Sequence, residues 1–78
     1  MKDFLEYLVK NIVDLPEGVK VQENSDGGSN VTLTLQVDPT DMGKVIGKQG
    51  RIIRSLRELV YVLAVKENRK VNIILQEA

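Results

Sequence analysis

An α+β domain is what this chain predicts: a three-stranded mixed sheet with helices packed on one face. Three observations lead there. "VTLTLQV", residues 31–37, alternates apolar and polar side chains as a strand does. Residues 2–13 and 51–67 instead carry apolar side chains at helical spacing. A second strand-like run, "VNIILQ" at 71–76, follows the first only after a long helical stretch. A crossover of that length favours pairing the two strands in parallel with right-handed topology.

The elements follow in chain order. Phe4, Leu5, Leu8, Val9 and Ile12 form the apolar stripe of a first helix over 2–13, which Pro16 and Gly18 end. "VKVQE", 19–23, predicts a short strand with Val19 and Val21 on one face. "NSDGGSN", 24–30, consists of turn-forming residues and predicts a floppy hairpin loop. In the strand that follows, Val31, Leu33, Leu35 and Val37 point inward. Asp38 is placed to cap a short helix over 39–46, with Pro39 at its first position and Asp41 in its first turn. After Gly50 a longer helix predicts a core stripe of Ile52, Ile53, Leu56, Leu59, Val60 and Leu63. Asn68, Arg69 and Lys70 turn the chain into the last strand. The order is helix, strand, strand, helix, helix, strand. With 78 residues and an apolar fraction of 42%, the chain suits one domain, residues 1–78, with a single core.

Composition excludes several kinds of chemistry. There is no cysteine, so no disulfide, thiolate metal site or thiol nucleophile. There is no histidine, which removes the commonest metal ligand and the usual general base. No carboxylates pair near the basic segment described below, so an enzyme, a cofactor and a bound metal are not expected. No apolar run is long enough to span a membrane, and "MKDFLEYLVK" lacks the core of a signal peptide. The cytoplasm is the default location.

The formal net charge is +0, but it is unevenly spread. Residues 1–43 hold three basic and eight acidic side chains, and residues 58–78 hold three of each. Between them Lys44, Lys48, Arg51, Arg54 and Arg57 occur with no acid at all. In the same window a helical pattern is broken by Gly47-Lys48-Gln49-Gly50. The opening turn of a helix carries unpartnered amides and the positive end of its dipole, which together attract anions. Glycines let another backbone approach closely. A shallow, open site of this kind suits an extended phosphodiester chain.

"VIGKQGRII", 45–53, resembles the signature of KH domains, in which a Gly-x-x-Gly loop between two helices clamps about four single-stranded nucleotides. The element order is similar to the type II KH arrangement. The length and the block "DMGKVIGKQGRI" resemble the small bacterial RNA-binding proteins of the KhpA family. The resemblance implies that Gly47, Lys48, Gln49 and Gly50 lie over the nucleic-acid backbone. It implies that Val45 and Ile46 line an apolar floor for bases, with Ile53 either core or a groove contact. Lys44 and Lys48 are expected on phosphate, and Arg51 and Arg54 are either phosphate contacts or solvated surface. Arg57 reads as plain surface. Gln49 is either a base or sugar contact or a polar loop residue. A role as a post-transcriptional regulator or RNA chaperone is a further implication of the family.

A nucleotide-binding P-loop fails on the same residues. The glycine spacing of "GKVIGKQ" is one short, and Gln49 stands where Ser or Thr would hold magnesium. Tyr61, Val62 and Val65 are left over on the long helix once its core stripe is assigned. They are either ordinary surface scatter or a face for a partner, most simply a second copy. The resemblance implies a homodimer, or pairing with a larger KH-containing RNA-binding protein. The competing function is thus an assembly module that recruits an RNA-binding partner.

Overall fold

The structure, a computed structural model, describes residues 1–77. Helix α1 (Lys2–Lys10) is followed by strands β1 (Lys20–Ser25) and β2 (Asn30–Val37), helices α2 (Met42–Ile46) and α3 (Arg51–Lys66), and strand β3 (Lys70–Glu77). The sheet order is β1-β2-β3. β1 and β2 are antiparallel, with Val21 opposite Leu35. β2 and β3 are parallel, with Leu33 opposite Ile73, as a two-helix crossover requires.

The helices cover one face, and the alternation of β2 decides which. Val31, Leu33, Leu35 and Val37 are all buried there. They meet Leu5 and Val9 of α1, Val45 of α2, and Ile53, Leu56 and Val60 of α3 in one core. Among the described residues no buried side-chain polar atom lacks a hydrogen-bond partner. No helix among them is long and apolar enough to cross a membrane.

Several boundaries differ from the sequence reading, each for a local reason. α1 stops at Lys10, yet Val13 is still buried, on a turn whose amide donates to the Val9 carbonyl at 3.2 Å. The hairpin loop is a tight turn instead of a floppy segment. Asp26 accepts hydrogen bonds from the Gly28 amide at 2.8 Å and from Asn30 Nδ2 at 2.9 Å, so the strands close to within four residues. Residues 39–41 form a separate 3₁₀ turn ahead of α2. Asp38 caps it as expected, accepting from the Thr40 amide at 3.0 Å. Asp41 turns inward and is buried, 1% exposed.

Leu59 was expected in the core stripe of α3 but is 48% exposed. The inward positions are Ile53, Leu56, Val60 and Ala64, a spacing that leaves Leu59 on the flank. α3 ends in a Schellman motif. Asn68 adopts φ 57°, its amide donates to the Val65 carbonyl, and the Arg69 amide reaches the Ala64 carbonyl at 2.8 Å.

Candidate nucleic-acid interface

Everything between α2 and α3 is compressed into the four residues of the glycine break. Gly47 leaves α2 with φ 74° and ψ 174°, a conformation open essentially to glycine alone. Gln49 is left-handed at φ 58° and ψ 26°, and Gly50 at φ 72° and ψ 18°. The turn is closed by the Gly50 amide on the Gly47 carbonyl at 3.1 Å and by the Arg51 amide on the Lys48 carbonyl. The amide that opens α3, expected free for an anion, is therefore engaged within the loop. The loop tip is open, with the side chains of Lys48 and Gln49 exposed. Arg51 Nη2 lies 3.4 Å from Gln49 Oε1, across the tip.

The two glycines differ in their surroundings. A side chain on Gly47 would run into Ile52, whereas nothing lies within 4 Å of where a Gly50 β-carbon would stand. The first glycine is demanded by packing and backbone together, the second by backbone alone.

Charge gathers around this loop. Lys48, Arg51, Arg54 and Arg57 are exposed and have no carboxylate partner among the described residues. Lys44, one turn earlier on α2, is different: its ammonium is paired with Asp14. That hydrogen bond to Asp14 holds the Lys44 titration above the ordinary lysine range. Two backbone amides, those of Asp14 and Leu15, donate to the buried Asp41 carboxylate at 3.2 and 3.0 Å. Asp41 thereby fixes the turn after α1 against the start of α2, a role its position at the head of a helix had concealed.

The apolar residues divide. Ile46 is 37% exposed beside the loop and is available to a ligand. Val45, expected beside it on an apolar floor, is fully buried in the core. The correction follows from packing: Val45 is the position of α2 turned into the core, and Ile46, about 100° round the helix, is left at the surface. Ile53 is core. Tyr61, Val62 and Val65 are exposed on α3 together with Leu59.

A groove not anticipated from the sequence lies between α3 and β3, one of the two edge strands. It has a volume of about 440 Å³ and is lined by Arg57, Glu58, Tyr61 and Val62 from the helix and Val71, Asn72 and Ile73 from the strand. Arg54, Arg57 and Glu58, and then Tyr61 and Val62, succeed one another at spacings of three and four, so a single strip of α3 leads from the loop to the groove. Arg57, read as plain surface, belongs to this wall. Tyr61 and Val62 were the available signal, but only the parallel crossover brings them against β3. Among the described residues there is no cluster of acidic or other metal-ligating side chains that could hold a metal ion.

A protein of Clostridium perfringens strain 13, named RNA-binding protein KhpA, is 51% identical over 71 residues, covering 91% of this chain and 93% of the relative. A protein of the same name from Halalkalibacterium halodurans is 47% identical, covering 94% and 95%. Another from Chlamydia caviae is 43% identical, covering 99% and 97%. Among solved structures, Era in complex with MgGDPNP and nucleotides 1506–1542 of 16S ribosomal RNA superimposes with a TM-score of 0.58 at 16% identity, covering 97% of this chain and 29% of the longer one. That likeness concerns the fold alone. Residues 2–75 match the family described as KhpA/KhpB, KH domain, and the chain belongs to that family.

Proposed function

We propose that this domain binds single-stranded RNA in the cytoplasm. The phosphodiester backbone crosses Gly47–Gly50, and the bases turn toward Ile46 and the groove between α3 and β3. The observation that carries the reading is the open, left-handed loop beside four unpaired cations, Lys48, Arg51, Arg54 and Arg57. Phosphate contacts of this kind position the strand without reading sequence. Selectivity rests on the groove, where the exposed edge of β3 offers backbone donors and acceptors to unpaired bases. Three aromatic residues, Phe4, Tyr7 and Tyr61, are too few for a stacking platform, so affinity is moderate. Binding with modest selectivity fits a post-transcriptional regulator or an RNA chaperone; the names of the similar proteins support RNA binding.

The test is a double variant, Lys48→Asp with Gln49→Asp. Fluorescence anisotropy with an unstructured RNA oligonucleotide should show binding lost while thermal melting is unchanged. Retained affinity would overturn the reading. For the parent protein, log affinity should fall against log salt with a slope of magnitude about two to three, as expected for three or four phosphate contacts.

A second reading is favoured by the exposed apolar side chains of α3. Leu59, Tyr61, Val62 and Val65 make a face suited to a second copy of the chain or to a larger KH-containing RNA-binding protein. Val65 lies outside the groove, so Val65→Glu separates the two roles. A dimer that dissociates in sedimentation, with RNA binding by the monomer intact, supports assembly through this face. An unchanged sedimentation profile removes it.

A further inference from the structure

We infer that Asp14 sets the affinity of the glycine loop for nucleic acid by holding Lys44 in an ion pair that a phosphate must displace; this rests on the RNA-binding reading above. Lys44 Nζ meets Asp14 Oδ2 although the residues lie 30 positions apart in the chain. The pairing is built into the fold. Asp41, buried at the head of α2, takes the amides of Asp14 and Leu15, which fixes the turn bearing the carboxylate against the helix bearing the ammonium.

Lys44 also stands on α2 one helical turn before the glycine that opens the loop, three residues from Gly47. Its four-carbon stem lets the ammonium pass from the Asp14 carboxylate to a phosphate lying over the loop. Both partners are solvated, with side chains 46% and 74% exposed. Such a pair is a weak restraint in water and yields to a competing anion. When it opens, the Asp14 carboxylate returns to water and Lys44 joins the four unpaired cations. Until then Asp14 occupies the charge of one cation that would otherwise meet a phosphate. This accounts for a loop cation that is tied down while its neighbours are free.

The experiment compares Asp14→Asn with the parent protein on one unstructured RNA oligonucleotide across a salt series. The fold should survive, because the buried anchor uses the backbone amide of residue 14 and not its side chain. Affinity should rise about fivefold near 0.1 M salt, and the log–log salt slope should steepen by about 0.7, the increment for one more phosphate contact on a single strand. Asp14→Ala should behave alike, which guards against an asparagine that still holds Lys44. In a Lys44→Met background both gains should vanish. Unchanged affinity and slope in both Asp14 variants overturn the inference, and so does an equal gain without Lys44. The Lys48→Asp, Gln49→Asp double variant is the control. If it still binds RNA, the parent reading has failed; if it does not bind while the Asp14 variants match the parent protein, only this inference has.

Discussion

A β-carbon placed on Gly47 would lie 2.6 Å from Ile52 Cγ1. Ile52 belongs to the first turn of α3 and packs against the core, so the end of α2 is seated directly on the start of α3. The loop is thereby held in shape before any ligand arrives. Gln49 shares in the arrangement: a left-handed conformation costs a residue with a side chain about 1–2 kcal/mol, which the surrounding packing sustains.

Gly47→Ala should therefore destabilise the fold by about 2–4 kcal/mol, from a forbidden backbone region together with the collision with Ile52. Gly50→Ala meets open space and should lose only about 1–2 kcal/mol. Urea unfolding followed by circular dichroism checks the order. Equal losses would mean that Ile52 moves aside and does not hold the loop.

Val45 and Ile46 should separate cleanly. Val45→Ala removes buried methyl groups from the core and should cost about 1.5–3 kcal/mol of stability. Ile46→Ala should cost less than about 1 kcal/mol and weaken RNA binding several-fold, measured well below the unfolding transition. The reverse pattern would return Val45 to the groove.

The sheet, its parallel pair and the glycine loop were legible in the sequence because each is written in local chemistry. Val31, Leu33, Leu35 and Val37 alternate over a whole strand, and Gly47 and Gly50 interrupt a helical pattern flanked by basic residues. What could not be read depends on residues far apart in the chain. Asp41 resembled an ordinary first-turn acid until residues 14–15 were seen to lie over it. Lys44 looked as free as Lys48 until Asp14 was found beside it. Arg57 became part of a groove only when β3 returned alongside α3. Leu59 failed for another reason, since a stripe of six apolar positions is wider than the surface that one helix buries against this small sheet.

Acid should weaken the fold in a defined window. The Thr40 amide and hydroxyl bond to Asp38 and hold its carboxyl below the ordinary aspartate range; Asn30 and the Gly28 amide do the same for Asp26. Groups whose titration is depressed in the folded state contribute stability above their unfolded value and lose it as pH falls through the folded one. Stability should thus be flat from about pH 5 to 7 and decline below about pH 4. In Asp38→Asn the cap persists without the charge, so the decline should be shallower. Urea midpoints across a pH series give the comparison, and equal slopes would remove Asp38 from the account.

Asp41 ties two distant parts of the fold together. Its carboxylate is buried and accepts two amides from a turn that, among the described residues, has no other side-chain hydrogen bond or ion pair to α2 except the exposed Asp14–Lys44 pair. Asp41→Ala leaves both amides without a partner and should cost about 2–4 kcal/mol; Asp41→Asn keeps one acceptor and should lose about half as much. Hydrogen exchange locates the effect, because the amides of Asp14 and Leu15 should lose protection in the alanine variant while those of β2 keep theirs. With the turn loosened, Asp14 is held less firmly against Lys44, and the Asp41→Asn variant should then bind RNA at least as tightly as the parent protein despite its lower stability. A fall in affinity matching the fall in stability would instead mean that α2 itself had lost its place beneath the loop.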